Sequence, residues 1–381
     1  MHQKYDIAAF VWPAYTGDEL RTRIFWPEGI GEWEIVKNMK PKYPAHLWPR
    51  KPLWGYVNEA DPSVMEMEIN EAASHGVNVF IYDWYWYDNR PFLENCLNDG
   101  FLKAPNHDLM KFYIMWANHD IGYSWDIRNS DQEGNYTLEE RTKSLLYTGE
   151  VSRPQFESIA DRLIDRYFKH PSYYTIDEKP VFMIFTLPVL IKGLGGVKET
   201  KDALDWLKRR CVEKGLKGLH LQLNQHRVCY EIYDGDRLMT IDEVIRYFDF
   251  DSTTNYQMID INGKVEGTYS QAVEKAAQGW RRLEQDSPVP YFPQVGCGWD
   301  NNPRFKTTIT PVLENSTPAA FRQALQNAKD FIDSHPDQTP LITINSWNEW
   351  TEGSYLQPDD INGYGYLDAV KEVFCPKPKL D

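Results

Sequence analysis

At 381 residues, 42% hydrophobic and 25% charged, the chain reads as a globular protein long enough for one large domain or two ordinary ones. Its net charge of -15 and pI near 5.1 argue against nucleic acid and anionic membrane as partners, since phosphate-rich surfaces are bound by basic ones. No apolar run reaches the roughly 18–20 residues needed to span a bilayer, and membrane insertion is not expected.

Taken in order, the chain repeats one layout: a short apolar run that ends in polar or aromatic residues, then a helical pattern. The first run is Asp6–Val11, closing on Trp12, Pro13 and Tyr15. Residues 25–56 are rich in Pro and Trp without a clear period and read as a long loop. Residues 64–73 have helical spacing, and 77–81 form the second strand, followed by Tyr82, Asp83, Trp84, Tyr85 and Trp86. The third strand, 111–115, leads into Trp116, Ala117, Asn118, His119 and Asp120. After an aperiodic stretch at 128–153, the spacing of Phe156, Ile159, Ala160, Leu163 and Tyr167 predicts a helix that stops before Pro171. Strands four and five are expected at 181–185 and 219–223, the latter ending in Asn224, Gln225 and His226. A weaker sixth at 248–254 ends in Asn255 and Tyr256. The seventh, 289–295, is interrupted by Pro290 and Pro293 and runs into Gly298, Trp299 and Asp300. Thr317 as N-cap with Pro318 behind it opens a helix. The eighth strand is the run Leu341, Ile342, Ile344, and a closing helix spans 366–374.

Eight strand-like runs alternating with helices predict an α/β fold, a single (β/α)8 TIM barrel with long βα loops over residues 1–381. An open doubly wound sheet is the alternative, but Gly193, Gly195 and Gly196 lack the spacing of a phosphate-binding turn. In a barrel, functional residues gather at the C-terminal ends of the strands, and the polar and aromatic residues here follow the runs. The five cysteines (Cys96, Cys211, Cys229, Cys297, Cys375) are scattered without a CxxC pair, so neither a disulfide framework nor a zinc site is expected. No HExxH, GxSxG or Walker pattern is present. Residues 1–10 carry no signal-peptide pattern, which leaves the compartment open because a removed leader would look the same.

The richest strand end is the eighth: Asn345, Ser346, Trp347, Asn348, Glu349, Trp350, Glu352, Gly353. A strand exit has no packing use for two carboxylates and two tryptophans. Burying an unpaired carboxylate costs several kcal/mol by usual reckoning, so such groups belong in a polar site. Two nearby carboxylic acids are the minimum equipment for cleaving a glycosidic bond, one donating a proton to the leaving oxygen. An ordinary solvated loop is the plainer reading. Glu349 and Glu352 are the catalytic candidates. Candidates for substrate contact are Tyr15, Asp83, Trp84, Trp86, Trp116, Asn118, His119, Asn224, His226, Tyr256, Trp299, Asp300, Trp347, Asn348 and Trp350. The tryptophans Trp84, Trp86, Trp116 and Trp299 are expected to supply sugar platforms. Asp83, Asp249, Asp251 and Asp300 follow strands and suit sugar hydroxyls as well as a cation, so no metal and no cofactor is expected. Asn135 and Asn315 open glycosylation patterns.

Six stretches in order resemble the WbsX-like family, which is related to glycoside hydrolase family 99. They are GEWEIVKNMKPKYPAH at 31–46, WANHD at 116–120, KPVFMIF at 179–185, GWDNNPR at 298–304, SWNEWTEG at 346–353 and GYGYLDAV at 363–370. The resemblance implies a (β/α)8 barrel acting on an oligo- or polysaccharide. In family 99, whose members are endo-acting α-mannosidases and mannanases, the matching Glu-x-x-Glu supplies both catalytic carboxylates. Carried over, Glu349 is the base and Glu352 the acid of an endo-acting, retaining hydrolase that uses the sugar's 2-hydroxyl through a 1,2-anhydro intermediate. The family's glycosyltransferase label keeps polysaccharide synthesis open, and a barrel that binds glycans without cleaving them is a third reading. Where WbsX-like chains commonly show Asn-Glu-Asn-Trp after the third strand, this chain has Asn118, His119, Asp120 and Ile121. Its second strand ends Asp83-Trp84-Tyr85-Trp86 rather than with a Tyr-His-Tyr-Trp type. Both departures fall where a substrate is held, so they bear on specificity. The oligomeric state is not legible.

Overall fold

The computed structural model describes residues 4–17, 19–122, 125, 145–225 and 231–375. Eight parallel strands run β1 Asp6–Val11, β2 Val79–Tyr87, β3 Lys111–Trp116, β4 Lys179–Ile184, β5 His220–Asn224, β6 Ser252–Thr254, β7 Gln294–Gly296 and β8 Leu341–Asn345. Their order, β6-β5-β4-β3-β2-β1-β8-β7, is that of a barrel, and a parallel bridge between Thr253 and Tyr291 brings the two ends together. The result is a nearly closed (β/α)8 barrel. Helices that follow the strands include α1 Pro62–Ser74, α2 Arg153–Leu163, α3 Val197–Glu213, α4 Ile241–Phe248, α5 Tyr269–Gln285, α6 Pro318–Asp333 and α7 Gly365–Phe374. Short turns over Cys96–Gly100 and Phe101–Lys103 stand where a full helix would follow β2.

β1, β3, β4 and β8 are largely apolar runs because both faces are covered, by helices outside and by the filled interior within. β1 and β8 are buried along nearly their whole length. α6 starts where Thr317 Oγ1 accepts from the Ala320 backbone N–H, with Pro318 supplying a pre-set φ. Two expected strands are shortened. The apolar residues of 241–248 form α4, opened by a capping box between Thr240 and Glu243, and Asp249 ends it in the left-handed region, leaving only Ser252–Thr254 as strand. In the seventh, Pro290 and Pro293 have no N–H to give a ladder, and their carbonyls accept from Thr253 and Thr343 at 3.0 and 3.1 Å instead. The second strand is longer than its sequence pattern predicts, running nine residues to Tyr87, all buried.

Inward positions of the barrel are unusually polar. Tyr113 Oη donates to Gln222 Oε1 at 3.1 Å, Gln222 Nε2 to Ser252 Oγ at 3.1 Å, and the Thr254 and Thr343 hydroxyls meet at 3.0 Å. Buried polar groups are tolerable when hydrogen-bonded, so these links hold the staves together below the cavity. His226 and the Asn135 pattern lie outside the described residues, as does most of the 128–153 stretch. Among the described residues no helix is long and apolar enough to cross a membrane.

Candidate active site

Past the end of β8 the chain folds back on itself. Ser346 Oγ accepts from the Glu349 backbone N–H at 2.7 Å and donates to the Ser354 carbonyl at 2.7 Å. Asn348–Glu349 pairs antiparallel with Ser354–Tyr355 across the tight turn Trp350–Glu352. Gly353 closes that turn with φ of 61°, and a Cβ there would lie 3.0 Å from the Asp300 Cβ, so conformation and space both call for glycine. This turn sends Glu349 and Glu352 to one side and their neighbours to the other.

The neighbours anchor the turn. Trp347 Nε1 donates to Glu68 Oε2 at 2.7 Å, and Asn348 Nδ2 donates to Glu59 Oε2 and to the Trp12 carbonyl, each at 2.8 Å. Trp350 stacks on Tyr355 and donates to Gln357 Oε1 at 2.7 Å. Tyr15 sits behind the turn against Trp33, its hydroxyl accepting from the Trp350 N–H. These four side chains hold the carboxylates in place and do not line the cavity.

That cavity, about 140 Å³, opens at the C-terminal end of the barrel. Trp12, Tyr85, Trp125 and Phe185 make much of its aromatic wall; Asp83, His119, Tyr256, Arg304, Glu349 and Glu352 are its polar lining. Arg304 joins the two glutamates: Nη1 donates to Glu352 Oε1 at 2.5 Å, while Nη2 donates to Glu349 Oε1 at 3.4 Å. Its Nε donates to Thr351 Oγ1 at 2.9 Å and lies 3.8 Å from Glu32 Oε1. Glu352 also accepts from Gln257 Nε2 at 3.1 Å, and Glu349 from Asn345 Nδ2 at 3.2 Å. Tyr256 Oη lies 2.9 Å from Asp83 Oδ2 and 3.0 Å from Glu349 Oε2.

Three nearly buried carboxyls, Glu32, Glu349 and Glu352, thus face one guanidinium, and Asp83 lies beyond Tyr256. Burial, and next the charge of Glu349, push the Glu352 carboxyl well above the ordinary carboxylate range, with Arg304 opposing. Asp83 is pushed up well above its range by the same two causes, and Glu32 is raised by burial against the pull of Arg304. The site therefore has a group able to hold a proton, Glu352, beside Glu349. Among the described residues no group of three or more His, Cys, Asp and Glu side chains converges as metal ligands would.

Other candidates stand elsewhere. β2 extends to Tyr87 and side chains alternate along a strand, so Asp83 and Tyr85 face the cavity while Trp84 and Trp86 point outward and stack on each other. Trp84 Nε1 donates to Glu94 at 2.8 Å in the helical layer. Trp116 likewise points outward, against Phe156 and Phe182. Asn118 joins two loops, exchanging hydrogen bonds of 2.8 Å with the Thr186 backbone. Asn224 is buried, and neither of its amide atoms has a partner among the described residues. Trp299 and Asp300 line a separate pocket of about 470 Å³. There burial pushes the Asp300 carboxyl up, but hydrogen bonds from His46, Asn302 and Trp48 outweigh it and hold the carboxyl below its usual range. The expected platforms thus do not meet at the cavity; Trp12 and Trp125 are the tryptophans that do. Trp116→Ala is accordingly expected to cost about 3–5 kcal/mol of stability, as deletion of a core ring does, which denaturant unfolding will measure.

Arg304, Glu32, Trp12, Tyr85, Gln257 and Asn345 were not singled out as site residues from sequence. Arg304 closes the GWDNNPR stretch and Trp12 and Tyr85 follow the pattern of aromatic strand ends, so a signal existed for these three. Glu32 lies in an irregular loop, and its cue was its place in the GEWEIVKNMKPKYPAH stretch.

Residues 7–370 match the family described as Glycosyltransferase WbsX. The chain belongs to the WbsX family. Among curated proteins it is similar to the "Uncharacterized protein WxcX" of Xanthomonas campestris pv. campestris (strain B100), 25% identical over 360 residues, covering 93% of this chain and 48% of that protein. The same protein of strain ATCC 33913 matches equally. The chain therefore spans about half the length of the curated relatives it matches. Among solved structures this WbsX-family chain resembles the GH99 endo-alpha-mannosidase from Bacteroides thetaiotaomicron, with a TM-score of 0.55 and 14% identity over 96% of this chain and 95% of the other. A "Glycoside hydrolase-like protein" gives 0.56 and 14% over 98% and 94%. At such identity the likeness is one of fold.

Proposed function

We propose that this WbsX-family chain is a retaining, endo-acting glycoside hydrolase whose base is Glu349 and whose acid is Glu352. One observation carries the reading: both carboxylates sit side by side on the two terminal nitrogens of one guanidinium. Direct displacement needs carboxylates facing each other across the anomeric carbon, about 5–5.5 Å apart for retention and about 6.5–9.5 Å for inversion with room for water. Two carboxylates sharing one arginine suit neighbouring atoms of one sugar, the glycosidic oxygen and a 2-hydroxyl trans to it. Glu349 then takes the 2-hydroxyl proton, O2 attacks C1, the glycosidic bond breaks, and Glu352 gives its proton to the leaving oxygen. Water opens the 1,2-anhydro ring, with Glu352 taking the water's proton and Glu349 returning its own to O2. The resemblance to glycoside hydrolase family 99 supports the same assignment.

The family description favours a second reading, transfer from a sugar nucleotide. A diphosphate needs cations or backbone N–H groups, and this cavity offers three carboxyls against one arginine that Glu32 also contacts. The deciding experiment is a panel of bacterial, yeast and plant glycans with product analysis, alongside calorimetry with sugar nucleotides. Release of oligosaccharide without nucleotide binding is expected; nucleotide-sugar binding with no hydrolysis would overturn the reading.

A further inference from the structure

Tyr256 Oη stands between two carboxyls, 2.9 Å from Asp83 and 3.0 Å from Glu349. A phenol has one proton to donate, while its oxygen also accepts. Were both carboxyls ionised, one of these contacts would set lone pair against lone pair between nearly buried groups, which is unfavourable. One further proton must therefore sit on this three-group chain, on one carboxyl or the other.

The donors decide which. Glu349 Oε2 also receives Asn345 Nδ2, and its Oε1 receives Arg304. Asp83 has no such support. Its Oδ1 is buried and, among the described residues, no donor reaches it. An ionised carboxylate left with an idle oxygen is costly in the interior, whereas a neutral acid leaves only a weak carbonyl acceptor idle. The other titratable groups facing Asp83 across the cavity are Glu352, Tyr85 and His119, and Arg304 directs its contacts to Glu32, Glu349 and Glu352. Burial and, next, the charge of Glu349 favour a neutral Asp83.

We propose that Asp83 is a protonated positioning residue: its carboxyl O–H donates to Tyr256 Oη, and the Tyr256 O–H donates to Glu349 Oε2. The chain fixes Glu349 Oε2 and leaves Oε1, which Arg304 Nη2 contacts at 3.4 Å, to the reaction. The catalytic consequence rests on the reading of Glu349 as base; the location of the proton does not.

Two measurements on the full chain test this. Infrared difference spectra of wild type against Asp83→Asn at neutral pH are expected to show loss of one carboxylic-acid carbonyl stretch; a difference confined to carboxylate bands would overturn the proposal. If Asp83→Asn fails to fold, Tyr256→Phe carries the same test. The acid band must then move, because its O–H has lost its acceptor, and a band that stays in place overturns the proposal. In turnover of an activated aryl glycoside, Asp83→Asn is expected to keep at least about ten times the rate of Asp83→Ala, the kinetic equivalent of one hydrogen bond, since an amide N–H donates as the acid does. Its rate should also lose the fall at alkaline pH that ionisation of Asp83 imposes on wild type. Equal impairment of the two variants would show that an ionised Asp83 is needed and would overturn the proposal. An acid band lost in Asp83→Asn, with no glycan cleaved by wild type, would fault the hydrolase reading and leave the proton on Asp83.

Discussion

Glu352→Gln is expected to abolish cleavage of an unactivated glycan while leaving the fold intact. A buried carboxyl raised well above the ordinary range keeps its proton to higher pH than a free one, as a general acid requires. The amide keeps the size of the side chain but has no proton to surrender. General acid catalysis typically contributes on the order of a hundred- to ten-thousand-fold, and that is the loss expected in kcat for a sugar leaving group. An aryl glycoside with an acidic phenol departs with little protonation and should lose far less. A pH profile gives the complementary sign. Cleavage of the unactivated glycan falls as pH rises through the raised pKa of Glu352, and the activated substrate escapes that part of the fall. A mutant that cleaves the unactivated glycan at near wild-type rate contradicts the acid assignment.

Arg304→Met should have the next largest effect. The guanidinium contacts Glu32, Glu349 and Glu352, and without it these carboxyls are buried with no cation. Breaking a buried ion pair by removing one partner costs about 3–5 kcal/mol. The linkage fixes where that cost appears. Arg304 lowers the pKa of Glu32 and Glu352, so its loss raises them further above their unfolded values. The folded variant then binds more protons than the unfolded chain. Its deficit is absent below the unfolded carboxylate range and grows as pH rises through the folded values. Denaturant unfolding at pH 4 and pH 8 should show the two proteins converging at the lower pH. Equal deficits at both would show that Arg304 acts by packing alone. Activity at neutral pH should fall with the loss of the group that aligns both glutamates.

Much of the barrel was legible because a strand covered on both faces must be apolar throughout. β1, β3, β4 and β8 carry such runs, and they and β5 lie within a residue or two of their expected places. The sixth and seventh strands misled for opposite reasons. The apolar residues before Ser252 belong to a capped helix, and prolines limit the ladder around Tyr291. The site was legible where chemistry was unusual for its position, as with two glutamates after a strand or an aspartate in the middle of Val79–Tyr87. It was illegible where the answer depended on which way a strand faces. Trp84 and Tyr85 differ by one residue, yet one packs under the helices and the other lines the cavity. Arg304 and Glu32 meet the glutamates only through the tertiary fold, across separations that no local pattern records.

The central claim is that two carboxylates on one arginine act on neighbouring oxygens of a sugar, the glycosidic oxygen and a 2-hydroxyl trans to it. The most direct test follows the anomer first released from a hydrolysed glycan by NMR, with a 2-deoxy or 2-O-methyl substrate assayed beside it. The account predicts a product of retained configuration and no turnover of either modified sugar, because each lacks the proton that Glu349 removes. An inverted product, or undiminished cleavage of the 2-deoxy sugar, would contradict it.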